Sequence, residues 1–255
     1  MSSELFCSKP FDWLDVSIVP RRGSCYLCCP TWLPKSIGVL GTDEFETLWN
    51  GERARELRRS IHDGSFRHCT KSCPFLRSAT GPVVKKSEVS DPRHRAIIDK
   101  RLEVLEDGPV VVNAAFDRSC NLSCPSCRSE KIIERESADE ILALQRVLEV
   151  QVLPSAQVLY ITGSGDAIGS PYFNRWLRHL DVPSMPSLEH IHLHSNGLLW
   201  TETMWRQIPE PVRALIKSCE ISIDAATPET YALNRRGGSF ETLLDNAAFL
   251  RGLRR

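Results

Sequence analysis

Two hydrophobic periods alternate along the carboxyl-terminal part of this chain, and they predict its elements. Val110–Phe116 is a short, almost continuous apolar run and reads as a buried strand. Ala138–Val150 carries apolar residues at helical spacing, Gln157–Thr162 returns to strand character, and Pro171–Leu180 is helical again. His190–His194 alternates with period two. Glu202–Lys217 reads as a helix interrupted near Pro209 and Pro211, Cys219–Asp224 as a strand, and Phe240–Leu253 as a helix. Four βα units in succession imply an α/β fold with a parallel sheet and right-handed crossovers over residues 109–255.

The first 76 residues follow another pattern. Trp13–Val19 and Ser24–Cys28 flank Pro20-Arg-Arg-Gly23 and predict a β-hairpin with a turn glycine. A helix is expected from about Asp43 to Ile61. Residues 77–108 are charged, contain Gly81-Pro82 and Asp91-Pro92, and read as a linker with one helix, Pro92–Leu105. The organisation expected is a small cysteine-rich α+β module (1–76), a linker (77–108) and an α/β domain (109–255). Repeats and low-complexity tracts are absent from the sequence.

Composition narrows the function. The 255 residues are 42% hydrophobic and 25% charged, with 32 basic and 32 acidic side chains. That balance argues against a nucleic-acid or membrane-surface binder, each of which needs a basic excess. No apolar run approaches the ~20 residues of a membrane span, and the first residues lack a signal-peptide pattern. The expected location is the cytoplasm. Ten cysteines are then better explained by metal ligation than by disulfides in a reducing compartment.

Three of those cysteines lie in Cys120-Asn-Leu-Ser-Cys124-Pro-Ser-Cys127, directly after the first predicted strand. Three thiolates at this spacing can hold three corners of one [4Fe–4S] cube. No fourth cysteine follows nearby, so one iron is left for another ligand, unlike the four-cysteine sets of ferredoxins. Zinc is the alternative, although structural zinc usually takes four ligands. The run resembles the cluster loop of the radical S-adenosylmethionine (SAM) enzymes, in which the open iron binds SAM and an electron from the cluster splits it into methionine and a 5′-deoxyadenosyl radical.

The resemblance extends along the chain and implies a partial (β/α) barrel with SAM held at the strand tops. Gly163-Ser-Gly165-Asp166 resembles the family's Gly-Gly-Glu turn, with Asp166 a shorter acid than usual. His194-Ser195-Asn196-Gly197 is similar to its Thr-Asn-Gly strand end. Ser222 and Asp224 match fourth-strand positions near the SAM ribose and carboxylate. The implied SAM-binding residues are Gly163, Gly165, Asp166, Asn196, Ser222 and Asp224. Alternation would point His192 and His194 into the lumen, either to bind substrate or move a proton or simply to fill hydrogen bonds in the core. The family commonly has six βα units, and the four here suggest a chain cut short, with its fourth strand exposed as an edge.

The amino-terminal cysteines, with Gly38-Val-Leu, Leu48-Trp49-Asn50 and Leu57-Arg-Arg59, resemble the SPASM/twitch auxiliary-cluster domain. That resemblance implies a second [4Fe–4S] cluster on Cys7, Cys28, Cys69 and Cys73, with Cys29 the alternative to Cys28 and zinc the alternative metal. In most relatives this module follows the barrel, whereas here it precedes it. The implied function is a SAM-cleaving enzyme that oxidises or epimerises a small molecule such as a sugar or aminocyclitol, served by a flavodoxin- or ferredoxin-type reductant. A maturase of ribosomally made peptides and a non-catalytic iron–sulfur carrier are the alternatives.

Overall fold

A computed structural model describes residues 4–161 and 163–253. Thr162, the expected end of one strand, and the last two arginines lie outside the described residues. The chain divides into two compact units at Asn113/Ala114, within a strand.

The first unit contains β1 (Leu5–Cys7), α1 (Lys9–Asp12), β2 (Trp13–Ser17), β3 (Ser24–Tyr26), β4 (Gly38–Val39), α2 (Phe45–Asn50), α3 (Glu52–His62), α4 (Pro74–Ser78), β5 (Val83–Lys85), α5 (Pro92–Lys100) and the start of β6 (Val111–Ala115). Strands β2 and β3 form the expected antiparallel hairpin, with Asp15 opposite Tyr26. Gly23 adopts φ +82° in its turn, a conformation that glycine reaches without a Cβ penalty. The strand order is β4-β3-β2-β6, and β1 pairs separately with β5. The expected helix over Asp43–Ile61 is two helices. Gly51 breaks it in an extended conformation, ψ 171°, and a Cβ there would lie 2.1 Å from the Thr47 carbonyl oxygen.

Helix α3 buries Ala54, Leu57, Arg58 and Ile61, the spacing of one helical face. The Arg58 guanidinium is completely buried. It donates to the Pro10 and Glu103 carbonyls and to Asn50 Oδ1, and stacks on Trp49. Burial pulls its pKa down to about 9. Residues in the expected linker are therefore bound into this unit: β5 pairs with β1, and the Leu105 N–H donates to Asn50 Oδ1. Helix α5 stops at Lys100 because Arg101 turns left-handed, φ +52°.

The second unit completes β6 and adds α6 (Ala138–Val147), β7 (Val158–Ile161), α7 (Pro171–His179), β8 (His190–Ser195), α8 (Glu202–Gln207), α9 (Glu210–Leu215), β9 (Ile216–Ile221), α10 (Pro228–Asn234) and α11 (Phe240–Leu253). Its strand order is β6-β7-β8-β9, with β7, β8 and β9 parallel. The unit is α/β, as the alternating pattern predicts. Leu159, Ile161, Ile191 and Leu193 are buried, whereas Tyr160, His190, His192 and His194 on the opposite face are half-buried. Helix α7 covers the apolar side with Phe173, Trp176 and Leu177. It starts cleanly because Ser170 Oγ accepts the Tyr172 and Phe173 N–H groups and Pro171 follows the cap.

One strand lies elsewhere than expected. Strand β9 runs from Ile216 to Ile221, not from Cys219 to Asp224. Pairing with β8 decides this: Ile216 opposes Ile191, and Ile221 opposes Ser195. The last such contact is the Ser222 N–H to the Ser195 carbonyl, after which Asp224 adopts φ +57°. Helix α10 follows this turn and was not expected from the sequence.

Candidate iron–sulfur and SAM sites

The cysteine loop begins where β6 ends, and a buried carboxylate shapes it. Asp117 is fully buried. One of its oxygens accepts the N–H and hydroxyl of Ser119, and the other accepts the Ser170 hydroxyl. The Cys120 N–H donates to the Ile132 carbonyl, and the Cys127 and Arg128 N–H groups both donate to the Cys124 carbonyl. Cys120 and Cys124 are nearly buried and Cys127 is exposed. Burial raises the pKa of the Cys120 thiol.

The loop after β7 passes against this one. A Cβ on Gly165 would lie 2.6 Å from the Asp117 and Ser119 carbonyl oxygens, and one on Gly163 would lie 2.8 Å from Ala115 Cβ. Gly163 also has φ +96°. Asp166 is 3% exposed, and its carboxylate is occupied inside the protein. Oδ1 accepts the N–H groups of Ile168 and Gly169 and the Ser195 hydroxyl, and Oδ2 accepts the Asn196 N–H.

These segments enclose a cavity of about 160 Å³. Cys120, Cys124 and Cys127 line it with Gly163, Gly165, Asp166, Asn196, Ser222 and His194. His194 Nε2 and the Ser222 hydroxyl are 2.8 Å apart. Asp224 and His192 do not line it. Asp224 forms an ion pair with Arg235 at 2.6 Å, and His192 hydrogen-bonds Ser218. Two charged lining residues were not expected from the sequence, Arg128 and Arg235. Arg128 directly follows Cys127, so its position in the loop was a usable signal. Arg235, 108 residues beyond Cys127, offered none.

The donors here fit a cluster. Three thiols free of disulfides face one cavity. The Tyr231 hydroxyl and Arg235 Nε are buried without a hydrogen-bond partner, and Tyr231 packs in one core cluster with Cys120 and Cys124. Buried donors are rarely left unpaired, and the sulfides of an iron–sulfur cube are acceptors of the kind they lack.

A second cavity lies in the first unit, lined by Cys7, Cys28, Cys69 and Cys73 with Lys9, Trp32, Leu33, Ile61, Phe66 and Phe75. Cys29 is not among its lining residues; Cys28 and Cys29 both lie past the end of β3 at Tyr26. Burial pushes the Cys28 thiol up to about 12, Cys69 to about 11, and Cys7 upward as well. Among the described residues, no three His, Cys, Asp or Glu side chains converge as a single ion requires. Zinc thiolates converge at about 2.3 Å from one point. Four thiols around one apolar cavity are a donor set that a [4Fe–4S] cluster takes. Cys25 and Cys219 are separate thiols, each pushed up to about 12 by burial.

Comparison with known proteins agrees with this geometry. Residues 7–74 match the family model of the SPASM iron–sulfur cluster-binding domain. The chain is also 28% identical over 132 residues to a GTP 3′,8-cyclase of Alkaliphilus metalliredigens, and 29% identical over 131 residues to one of Peptoclostridium acidaminophilum. Each match covers 49% of this chain and 38% of the relative, so the chain spans well under half the length of these curated relatives. The SPASM match and these relatives imply [4Fe–4S] clusters and SAM as the cofactors. By these matches residues 7–74 correspond to a SPASM-type iron–sulfur domain, and the chain is similar to radical SAM enzymes.

Proposed function

We propose that this chain is a radical SAM enzyme acting on a small polar molecule such as a sugar or aminocyclitol. In this reading Cys120, Cys124 and Cys127 hold the SAM-binding cluster, and Cys7, Cys28, Cys69 and Cys73 hold the auxiliary one. The observation that carries the reading is the shared cavity, in which three free thiols and the turns after β7 and β8 meet Arg235, whose Nε is buried without a partner. Reduced and bound, the open-iron cluster supplies the electron that splits SAM into methionine and a 5′-deoxyadenosyl radical able to take a hydrogen atom from a substrate C–H bond.

The protein's own residues then have defined tasks. Gly163 and Gly165 let the turn after β7 pack on the start of the cysteine loop, where a side chain would collide with Ala115 or with the Asp117 and Ser119 carbonyls, and in this reading the turn's backbone faces the methionyl end of SAM. Asn196 and Ser222 offer polar contacts at the cavity wall. Asp166 holds the turns in place, because its oxygens are already taken by backbone. Leu122 helps to keep water from the cavity.

The polar faces of β7, β8 and β9 support a substrate rich in hydroxyls, on the substrate side of a partial barrel. His190 Nε2 and His192 Nδ1 each lie 2.7 Å from the Ser218 hydroxyl, and Tyr160 packs on His192 at 4.7 Å. Burial lowers the pKa of both histidines. At neutral pH they are uncharged donors and acceptors, suited to hydroxyl or amine groups rather than to a triphosphate. His194, paired with Ser222 beside the thiols, is the candidate to hold or move a proton near the reacting carbon.

The test is a substrate panel under anaerobic conditions with dithionite or reduced flavodoxin. Free sugars, aminocyclitols, GTP and short peptides are compared for 5′-deoxyadenosine release above the background with SAM alone. Stimulation by a sugar or aminocyclitol is expected. Stimulation by GTP or peptides alone would overturn the substrate class, and absence of SAM binding would leave an iron–sulfur carrier.

A further inference from the structure

Each of the three loop thiols receives a side-chain donor of its own. Arg128 Nη2 donates to Cys127 Sγ at 3.4 Å, Arg235 Nη1 to Cys124 Sγ at 3.7 Å, and Asn196 Nδ2 to Cys120 Sγ at 3.7 Å. The donors come from three separate segments: the cysteine loop, the residue after α10, and the loop after β8. We propose that Arg128, Arg235 and Asn196 form a set of positioning residues, one per thiolate, that raises the reduction potential of the cluster at Cys120, Cys124 and Cys127. This rests on the assignment of those cysteines as its ligands.

Each donor is itself fixed. Arg128 Nη1 donates to the Arg118 carbonyl at 2.5 Å, and Nη2 also donates to the Ser164 carbonyl at 2.8 Å. Arg235 is 13% exposed and its second amino group is held by Asp224 at 2.6 Å. Asn196 Nδ2 is shared with Asn121 Oδ1, while its Oδ1 accepts the Leu198 N–H. Locked donors hold their geometry when the charge on the sulfurs changes, as groups around a metal ligand must if they are to tune it.

The direction follows from charge. Reduction adds an electron to a site that already carries three thiolates. Two guanidinium groups and one amide dipole favour the more negative state, and they do so more strongly where water is scarce. Hydrogen bonds to sulfur and local net charge are known determinants of cluster potential. A higher potential brings the cluster within reach of a biological reductant. Asp224, expected with Ser222 near the SAM ribose and carboxylate, acts here by anchoring Arg235.

The experiment is an EPR-monitored redox titration of the reconstituted full chain without SAM. The signal of this cluster is identified by its loss in the triple Cys120, Cys124, Cys127→Ala variant. Arg235→Met and Arg128→Met should each shift the reduction equilibrium at least tenfold towards the oxidised form, about 59 mV for one electron. Arg235→Lys, which keeps the charge, should shift it less, and Asn196→Ala should give the smallest change. Iron content is measured alongside, and the midpoint is read on whichever fraction is loaded. Arg235→Lys and Arg128→Lys provide the midpoints if the methionine variants do not fold. Midpoints within error of the parent in loaded arginine variants would overturn the inference while leaving the ligand assignment intact. An iron signal that persists in the triple cysteine variant would overturn both.

Discussion

The carboxylate of Asp166 accepts the backbone N–H of Asn196 at 2.6 Å, tying the loop after β7 to the loop after β8. The same carboxylate accepts two further backbone N–H groups, from Ile168 and Gly169. An acidic residue at this position was expected to contact SAM, yet both its oxygens serve the protein. It shapes the site by holding two loops in register.

Removal of that carboxylate should therefore cost stability as well as binding. Asp166→Ala leaves buried backbone donors unpaired, each worth about 1–3 kcal/mol. Urea unfolding of the reconstituted protein should show a loss of about 3 kcal/mol or more, with weaker SAM binding as a consequence. Asp166→Asn, which keeps one acceptor, should lose less.

Gly165→Ala should act on the cysteine loop. Its Cβ would meet two backbone carbonyls at 2.6 Å, and backbone cannot swing aside as a side chain can. A cost of about 1–3 kcal/mol is expected from overpacking. Iron at the three-cysteine site should fall, and iron at the amino-terminal site should be retained. Full loading of both sites in this variant would show that the turn need not pass so close.

The two cysteines at the end of the hairpin should behave differently. Cys28 lines the amino-terminal cavity and Cys29 does not. Cys28→Ala should remove about half of the roughly eight irons expected for two [4Fe–4S] clusters, and Cys29→Ala should leave the count unchanged. Iron and absorbance near ~400 nm measure both.

Asp15 gives the first unit a pH signature. Burial raises its carboxyl from 3.8 to about 6, only partly offset by the hydrogen bond from Asn113. A carboxyl whose folded pKa is raised binds its proton more tightly in the folded state, so stability falls as pH rises from about 4 to about 6. The two-unit shift corresponds to about 2–3 kcal/mol. Asp15→Asn removes the ionisation, and its amide can donate where Asn113 Oδ1 is buried without a partner. The variant should be more stable than the parent at pH 7, with the difference vanishing near pH 4. A gain that is constant with pH would show that Asp15 does not titrate in this range.

The elements with strong periodicity were legible in the sequence. His190–Ser195 alternates buried and half-buried side chains as expected, and Phe240–Leu253 is helical over the expected span. The hairpin and its glycine turn were readable from local chemistry. The break at Gly51 was not, because the apolar spacing continues through it; only the structure shows the extended turn there, at which any Cβ would meet the Thr47 carbonyl. The position of β9 was set by pairing with β8, a tertiary constraint that alternation in Glu220–Asp224 could not reveal. The cysteines and strand-top glycines of the site were visible because their spacing is local. Asp117 and Arg235 were hidden, since their importance arises only when distant segments meet.

The central claim is that Cys120, Cys124 and Cys127 carry a cluster that binds and cleaves SAM. The most direct measurement compares the reconstituted parent with the triple Cys120, Cys124, Cys127→Ala variant, both reduced with dithionite, by EPR with and without SAM and by release of 5′-deoxyadenosine. The account predicts that SAM perturbs one cluster signal in the parent and that 5′-deoxyadenosine is formed. In the variant that signal and the product should both be absent, with the amino-terminal cluster retained. Release of 5′-deoxyadenosine by the variant, or a parent spectrum indifferent to SAM, would contradict it.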